Sequence, residues 1–412
     1  MISPLIPLLF AAAILLAGNG LQSTLVALRA NAEGFDTQLI GLMGAAYFCG
    51  FLSASFLAVK LIQAFGHIRV FAALAAIGAV ASLVLVLIPN PYCWVVIRCI
   101  TGFCFSGLLM VIESWINESV SNTNRGRVMS VYRIVDLMAV TGAQFLLPVV
   151  GFVGFELFAI VAIMFCLSLV PVSLSNRSRP KPPDGFKFDF KTVWQISPLA
   201  CLGTLTIGLT NSAFRMIGPI YATEIGFDTR GVVLFMTAGI IGGVVMQYPL
   251  GYLSDKLGRR KTVLIATLGA VLAGMFMSFF AGNSNQLIYA GSFVFGAFAI
   301  PLYSLSAAHA NDRAQKGQFV VISAGLTFFF ALGAIVGPYL ASVVISQFGA
   351  SAFFTYTSCV HGLLICVVLF RMARTESVPT DKRRRFSDLL YAAPDIFRLS
   401  RKSHRDIDKY GD

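Results

Sequence analysis

Long apolar runs, separated by short polar breaks, fill most of the chain. A membrane-spanning helix needs about 20 mostly apolar residues. Twelve runs fit that description, at 4–28, 37–59, 70–89, 92–116, 127–150, 152–174, 196–220, 230–253, 262–281, 285–309, 317–346 and 350–371. The pattern predicts twelve spanning helices. A transmembrane barrel would show alternating segments of about ten residues, and these runs do not alternate. The opening MISPLIP carries no positive charge ahead of its apolar stretch, so it reads as the start of the first span and not as a cleaved leader.

Composition agrees with the pattern. Of 412 residues 57% are hydrophobic and only 12% charged, about half the charged share of an ordinary soluble domain. The chain lacks the residues for a water-facing skin. The eight cysteines are scattered, mostly within spans and without any C-x-x-C pair. They read as small apolar side chains, and no metal, disulfide or cofactor is expected.

Basic residues set the orientation, because Lys and Arg are retained on the cytoplasmic side. With the N-terminus inside, only Arg29 and Arg230 fall in outer loops. Arg98, Arg133 and Arg215 lie within spans, and all other Lys and Arg residues lie inside. Both termini are therefore expected in the cytoplasm. The net charge of +12 then reports topology, not nucleic-acid binding. The segment from Arg374 onward, with Lys382–Arg385 as KRRR, fits a solvated or headgroup-facing tail.

The phrase GFDT occurs at Gly34–Thr37 and again at Gly226–Thr229, 192 residues apart. The same offset carries Asn19 onto Asn211 and Gly66 onto Gly258. One offset holding across a span and both its flanks indicates two six-span halves in the same orientation. The expected division is 1–174 for the N-terminal half, 175–191 for a polar, Pro-rich cytoplasmic linker, 192–372 for the C-terminal half and 373–412 for the basic tail. Parallel halves of this kind place a substrate site between them near the bilayer midplane. The Asp or Thr of each GFDT is suited to capping the helix that follows.

The residues around Gly258 carry a resemblance. Gly251-Tyr-Leu-Ser-Asp255-Lys-Leu-Gly258-Arg259-Arg260-Lys261 is similar to the loop signature G-x-L-x-D-r-x-G-r-r of the major facilitator superfamily. The matching N-half loop, Val59 to Arg69, keeps Gly66 but has Gln63 where the Asp would stand. Arg98-Cys-Ile-Thr-Gly102 is similar to the R-x-x-x-G of proton-linked members. Gly333-Ala-Ile-Val-Gly337-Pro338 looks like part of an antiporter pattern, but in span 11 instead of span 5, which weakens that reading. The segments Glu113–Arg133 and Leu302–Asp312 resemble a bacterial branch, the YcaD-like transporters. The resemblance covers residues 1–372. It implies that Asp255, with Arg259 and Arg260, latches the cytoplasmic side of the cavity, against the positive helix terminus near Lys316-Gly317. It also implies that Gln63 leaves the N-half latch weak or absent.

Polar residues at membrane depth are costly and are functional candidates for that reason. Arg98, Gly102, Ser106, Leu109 and Glu113 share roughly one face of span 4. Arg98 either polarises a cavity and assists proton coupling or snorkels toward Tyr92 and Trp94. Arg133 and Asp136 stand at i, i+3, as a structural ion pair or with Asp136 titrating. Thr204, Gly208, Asn211 and Arg215 form a stripe on span 7, and Asn19, Gln22 and Ser23 form one on span 1. These amides also suit helix–helix hydrogen bonding. Span 10 offers Tyr303, Ser306 and His309, the last beside Asp312 and so either a proton carrier or a hydrogen-bonded structural residue.

No H-E-x-x-H, G-x-S-x-G or Walker loop occurs, which speaks against an enzyme and against direct ATP drive. The expected protein is a monomeric secondary transporter with alternating access and proton coupling. The alternative is a membrane receptor or scaffold that kept the fold. Its partners are a small-molecule substrate, protons and membrane lipid, with no nucleic acid. Three arginines against few carboxylates lean toward an anionic, zwitterionic or neutral substrate.

Overall fold

The computed structural model describes residues 6–119, 125–173, 189–280, 284–315, 318–374 and 386. Among these residues the regular structure is entirely helical. The first part of the chain forms α1 (Ile6–Ala32), α2 (Thr37–Phe65), α3 (His67–Leu87), α4 (Pro91–Ser119), α5 (Arg125–Gln144), α6 (Leu146–Val150) and α7 (Glu156–Ser173). Then follow α8 (Phe190–Ile196), α9 (Pro198–Glu224), α10 (Thr229–Leu257), α11 (Arg259–Phe280), α12 (Asn285–Ala299), α13 (Leu302–Asn311), α14 (Phe319–Phe348) and α15 (Ala352–Arg374).

Among the described residues, ten spans are long and apolar enough to cross a membrane, with α12 and α13 together forming one of them. An eleventh arises if α8 and α9, bent by 107° at Ser197, count as one. The remaining expected span, 127–150, is not continuous. It breaks at Phe145, and its apolar part is the short piece Ile134–Val150. Arg127, Arg133 and Asp136 lower the apolar character of its first half. The span expected at 285–309 breaks at Ile300-Pro301, where proline lacks the N–H that would continue the ladder. Large side chains such as Phe10, Val80, Phe279 and Leu363 remain exposed, as the lipid-facing side of a spanning helix requires.

The two GFDT copies share one turn and differ in which N–H the Asp caps. Gly34 and Gly226 take φ of 74° and 96°, a left-handed conformation that glycine adopts without a Cβ penalty. The N–H of Phe35 bonds the C=O of Ala30 at 3.0 Å, and the N–H of Phe227 bonds that of Ala222 at 3.0 Å. This is the paired closure that ends a helix on a left-handed glycine. The next helix is then capped: Asp36 Oδ1 accepts from the N–H of Gln38 at 3.1 Å, and Asp228 Oδ1 from the N–H of Gly231 at 2.8 Å. Gly66 and Gly258 play a second matched role, with φ of 82° and 94° at the α2–α3 and α10–α11 corners.

The backbone separates into two compact units. The first holds residues 1–185, 212–237 and 335–350, and the second 186–211, 238–334 and 351–412. In the first, α2 packs along α4, α1 against α5 and α7, and α3 against α4 and α7. A Cβ on Gly50 would strike the carbonyl of Cys99, and one on Gly102 that of Tyr47, so α2 and α4 meet backbone to backbone. In the second unit α11 packs against α12, α13 and α15. There Gly242, at the repeat offset from Gly50, faces the carbonyl of Phe293, and Gly296 that of Gly239. Small residues let spanning helices approach this closely.

Candidate functional site

The first unit holds a polar cluster in an apolar setting. Arg98 on α4 is buried, 2% exposed. Its guanidinium carbon lies over the Tyr47 ring of α2, 4.3 Å from the centroid. Tyr47 donates its hydroxyl to Asn19 Oδ1 on α1 at 2.8 Å. One chain of contacts therefore links α1, α2 and α4. The close α2–α4 backbone approach at Gly50 and Gly102 brings the ring and the guanidinium together. Among the described residues, Arg98 Nε and Nη1 are buried and have no hydrogen-bond partner. The side chain does not snorkel to the surface. A cation of this kind is held by the ring's negative face and retains unused donors.

Gln22 does not join that cluster. It is fully buried, and its Nε2 donates to Ser82 Oγ of α3 at 2.9 Å. Ser82 passes the bond on to the Gly78 carbonyl at 2.9 Å. Glu113, near the end of α4, accepts from the Tyr132 hydroxyl at 3.4 Å. Asp136 is half-buried on α5, and the side chain of Arg133 lies outside the described residues. Arg215 is half-buried on α9 and belongs to the same unit as Arg98. Asn211, one turn away, is half-buried and belongs to the second unit. Sequence reasoning missed Tyr47 and Ser82. Tyr47 left a signal, as a polar tip within an apolar stretch of span 2.

The second unit holds a charged network at the corner between α10 and α11. Arg259 is 4% exposed. Its Nη1 donates to Asp255 Oδ1 at 2.7 Å and to Ser254 Oγ at 3.0 Å. Its Nε donates to Asp312 Oδ2, just past α13, at 2.8 Å. Arg260 Nη1 donates to the Arg371 carbonyl at 3.2 Å, tying α11 to the end of α15. The expected helix terminus at Lys316-Gly317 lies outside the described residues. Nearby, His309 is buried on α13. Tyr303 shares a hydrogen bond with Thr327 at 3.3 Å and meets the Phe330 ring edge-on. Arg313 follows α13, and burial pushes its pKa down from the ordinary value, with Arg371 adding to the effect.

The sequence profile described as Major Facilitator Superfamily matches residues 8–199 and 200–404, nearly the whole chain in two successive copies. The chain belongs to the major facilitator superfamily. Its curated relatives include an uncharacterized MFS-type transporter of Yersinia pestis, 23% identical over 358 residues, covering 84% of this chain and 90% of the relative. The transporter YcaD of Escherichia fergusonii is 22% identical over 380 residues, covering 91% and 97%. Among solved structures, the nucleoside transporter NupG superposes with a TM-score of 0.74 at 13% identity, covering 90% of this chain and all of that one. A bacterial homologue of the lysosomal transporter Spinster, inward-facing and occupied, gives 0.68 at 12%, covering 95% and 96%. These likenesses establish the superfamily fold, an all-helical membrane protein with twelve spans in two parallel halves.

Proposed function

We propose that this member of the superfamily carries a small molecule with hydrogen-bond acceptors, anionic or zwitterionic, across the cytoplasmic membrane by alternating access, with proton coupling. The observation that carries the reading is Arg98, buried on the Tyr47 ring with two unused donors. An unpaired buried donor costs about 1–3 kcal/mol. Acceptor oxygens of a ligand carboxylate or phosphate entering during the cycle would take up these donors in charge-assisted hydrogen bonds.

Access from the two sides is supported by the packing of α2, α9 and α14. A Cβ on Gly41 would meet Ser342, and one on Gly44 would meet Pro338 and Met216. Gln38 Nε2 also donates to Ser346 Oγ at 3.2 Å. With the N-terminus inside, these contacts would lie at the outer ends of the helices and would close that side. At the expected inner side, the Asp255–Arg259–Asp312 network would serve as the latch. Glu113, Asp136 and His309 are the carboxylates and imidazole available to move a proton.

The test is thermal stability of the purified protein across charged and neutral metabolites at two pH values, followed by uptake of any hit into vesicles. A ligand that binds the folded state raises the midpoint by about 2.7 kcal/mol at a hundredfold excess over its Kd. The expected result is an acidic ligand whose shift depends on pH and disappears in Arg98→Ala. Arg98→Ala and Asp136→Asn should abolish proton-coupled uptake while the protein stays folded. Wild-type uptake by both variants would remove these residues from the mechanism. A ligand that binds without crossing would favour a receptor.

A further inference from the structure

Phe386 is the described residue beyond Arg374. It lies 12 residues beyond the end of α15, directly after the basic run Lys382–Arg385, yet it is 3% exposed. Its backbone N–H points at the Asp255 carboxylate, 3.0 Å from Oδ1 and 3.0 Å from Oδ2. Its ring fills the space beside Gly251, where any Cβ would collide with it. Gly251 and Asp255 are one turn apart on α10, so the ring and the N–H read one helix face in two places.

We infer that Gly251 and Asp255 form a docking site for the chain's own C-terminal segment, with Phe386 as its anchor. The missing side chain at Gly251 supplies the apolar seat. Asp255 supplies a carboxylate already held by Arg259, which is in turn held by Asp312. Twelve residues of extended chain span up to roughly 40 Å, so the connection from Arg374 can reach. The start of that connection is anchored nearby, through the Arg260 bond to the Arg371 carbonyl. Docking therefore joins the tail to the α10–α11 corner, and it stands whatever the protein transports. Its consequence for turnover rests on the transport reading above: a latch that must open would first release Phe386.

Limited trypsin cleavage of the full chain in detergent tests the docking through the bond between Arg385 and Phe386. In the parent protein this bond should be cut slowly, and Gly251→Leu, which fills the seat, should raise the rate at least tenfold. If Gly251→Leu fails to fold, Asp255→Ala removes the acceptor instead, and hydrogen exchange at Phe386 should then lose its protection. Thermal midpoints of Gly251→Leu, Phe386→Ala and the double variant should be non-additive, because both single changes remove the same contact. Equal cleavage in parent and variants, or additive midpoints, would overturn the docking. So would protection that appears only in vesicles of anionic lipid, which would assign the tail to the headgroups.

Discussion

The Arg98 guanidinium rests 4.3 Å from the centre of the Tyr47 ring, and the hydroxyl of that ring bonds Asn19. One tyrosine thus holds a buried cation and joins it to a buried amide on a third helix. Tyr47→Phe should keep the ring under Arg98 and lose only the hydroxyl bond, costing about 1 kcal/mol. Tyr47→Leu should cost about a further 0.5–2 kcal/mol, because a desolvated cation then loses its ring. Denaturant or thermal midpoints in one detergent check both. Equal losses would show that the ring contributes nothing to holding Arg98.

Arg98 itself is expected to reduce stability. A buried guanidinium with unused donors and, among the described residues, no carboxylate bonded to it is costly, and replacement by an apolar side chain of similar length is often neutral or stabilising. Arg98→Met should leave the thermal midpoint equal or higher while ligand-induced shifts vanish. A midpoint lower than the parent's would mean that Arg98 is a structural residue.

The corner between α10 and α11 behaves in the opposite way. The side chains of Arg259 and Asp312 are 3% and 1% exposed, and removing one partner of a buried pair typically costs about 3–5 kcal/mol. Asp312→Ala should fall in that range. Adding Arg259→Met should recover part of the loss, since no buried guanidinium is then left short of a partner, while the more exposed Asp255 loses its own. A double variant as unstable as the sum of the two singles would refute the coupling.

The glycines at backbone contacts should not tolerate a side chain. Gly50→Val and Gly242→Val would drive a side chain into the carbonyls of Cys99 and Phe293. Both should fail to give a monodisperse protein. Gly142, on α5, has open space around its Cβ position. Gly142→Ala should stabilise by roughly 0.5–1 kcal/mol through helix propensity.

The repeated turn offers a symmetric test. Asp36→Ala and Asp228→Ala each remove an Asp cap of the helix that follows and should each cost about 0.5–2 kcal/mol. The double variant should show the sum, because the two caps share no partner. Unfolding midpoints of the three variants decide it.

Features governed by short-range physics were legible in the chain. The apolar runs mark the helices because the bilayer requires satisfied backbone groups and apolar faces. GFDT marks its own turn because a left-handed glycine and a capping Asp act within a few residues of themselves. The α10–α11 motif was legible through its spacing and its resemblance to the superfamily's signature. The break at Phe145 was not, because a length of apolar sequence does not show where a helix ladder stops.

What only the tertiary structure decided is which polar groups meet. Asn19 and Gln22 are nearly one turn apart on α1, yet one bonds Tyr47 of α2 and the other Ser82 of α3. Sequence placed both on one stripe, and helix packing sent them to different neighbours. Asp255 and Phe386 are separated by 131 residues, and no local pattern predicts that a ring would seat against Gly251. The sequence by itself determined the helices, the repeat and the turns, since each depends on neighbours along the chain. The pairing of Arg98 depends on how close α2 and α4 can come, which Gly50 and Gly102 set against carbonyls of the facing helix, and that of Asp255 with Phe386 depends on the room left at Gly251.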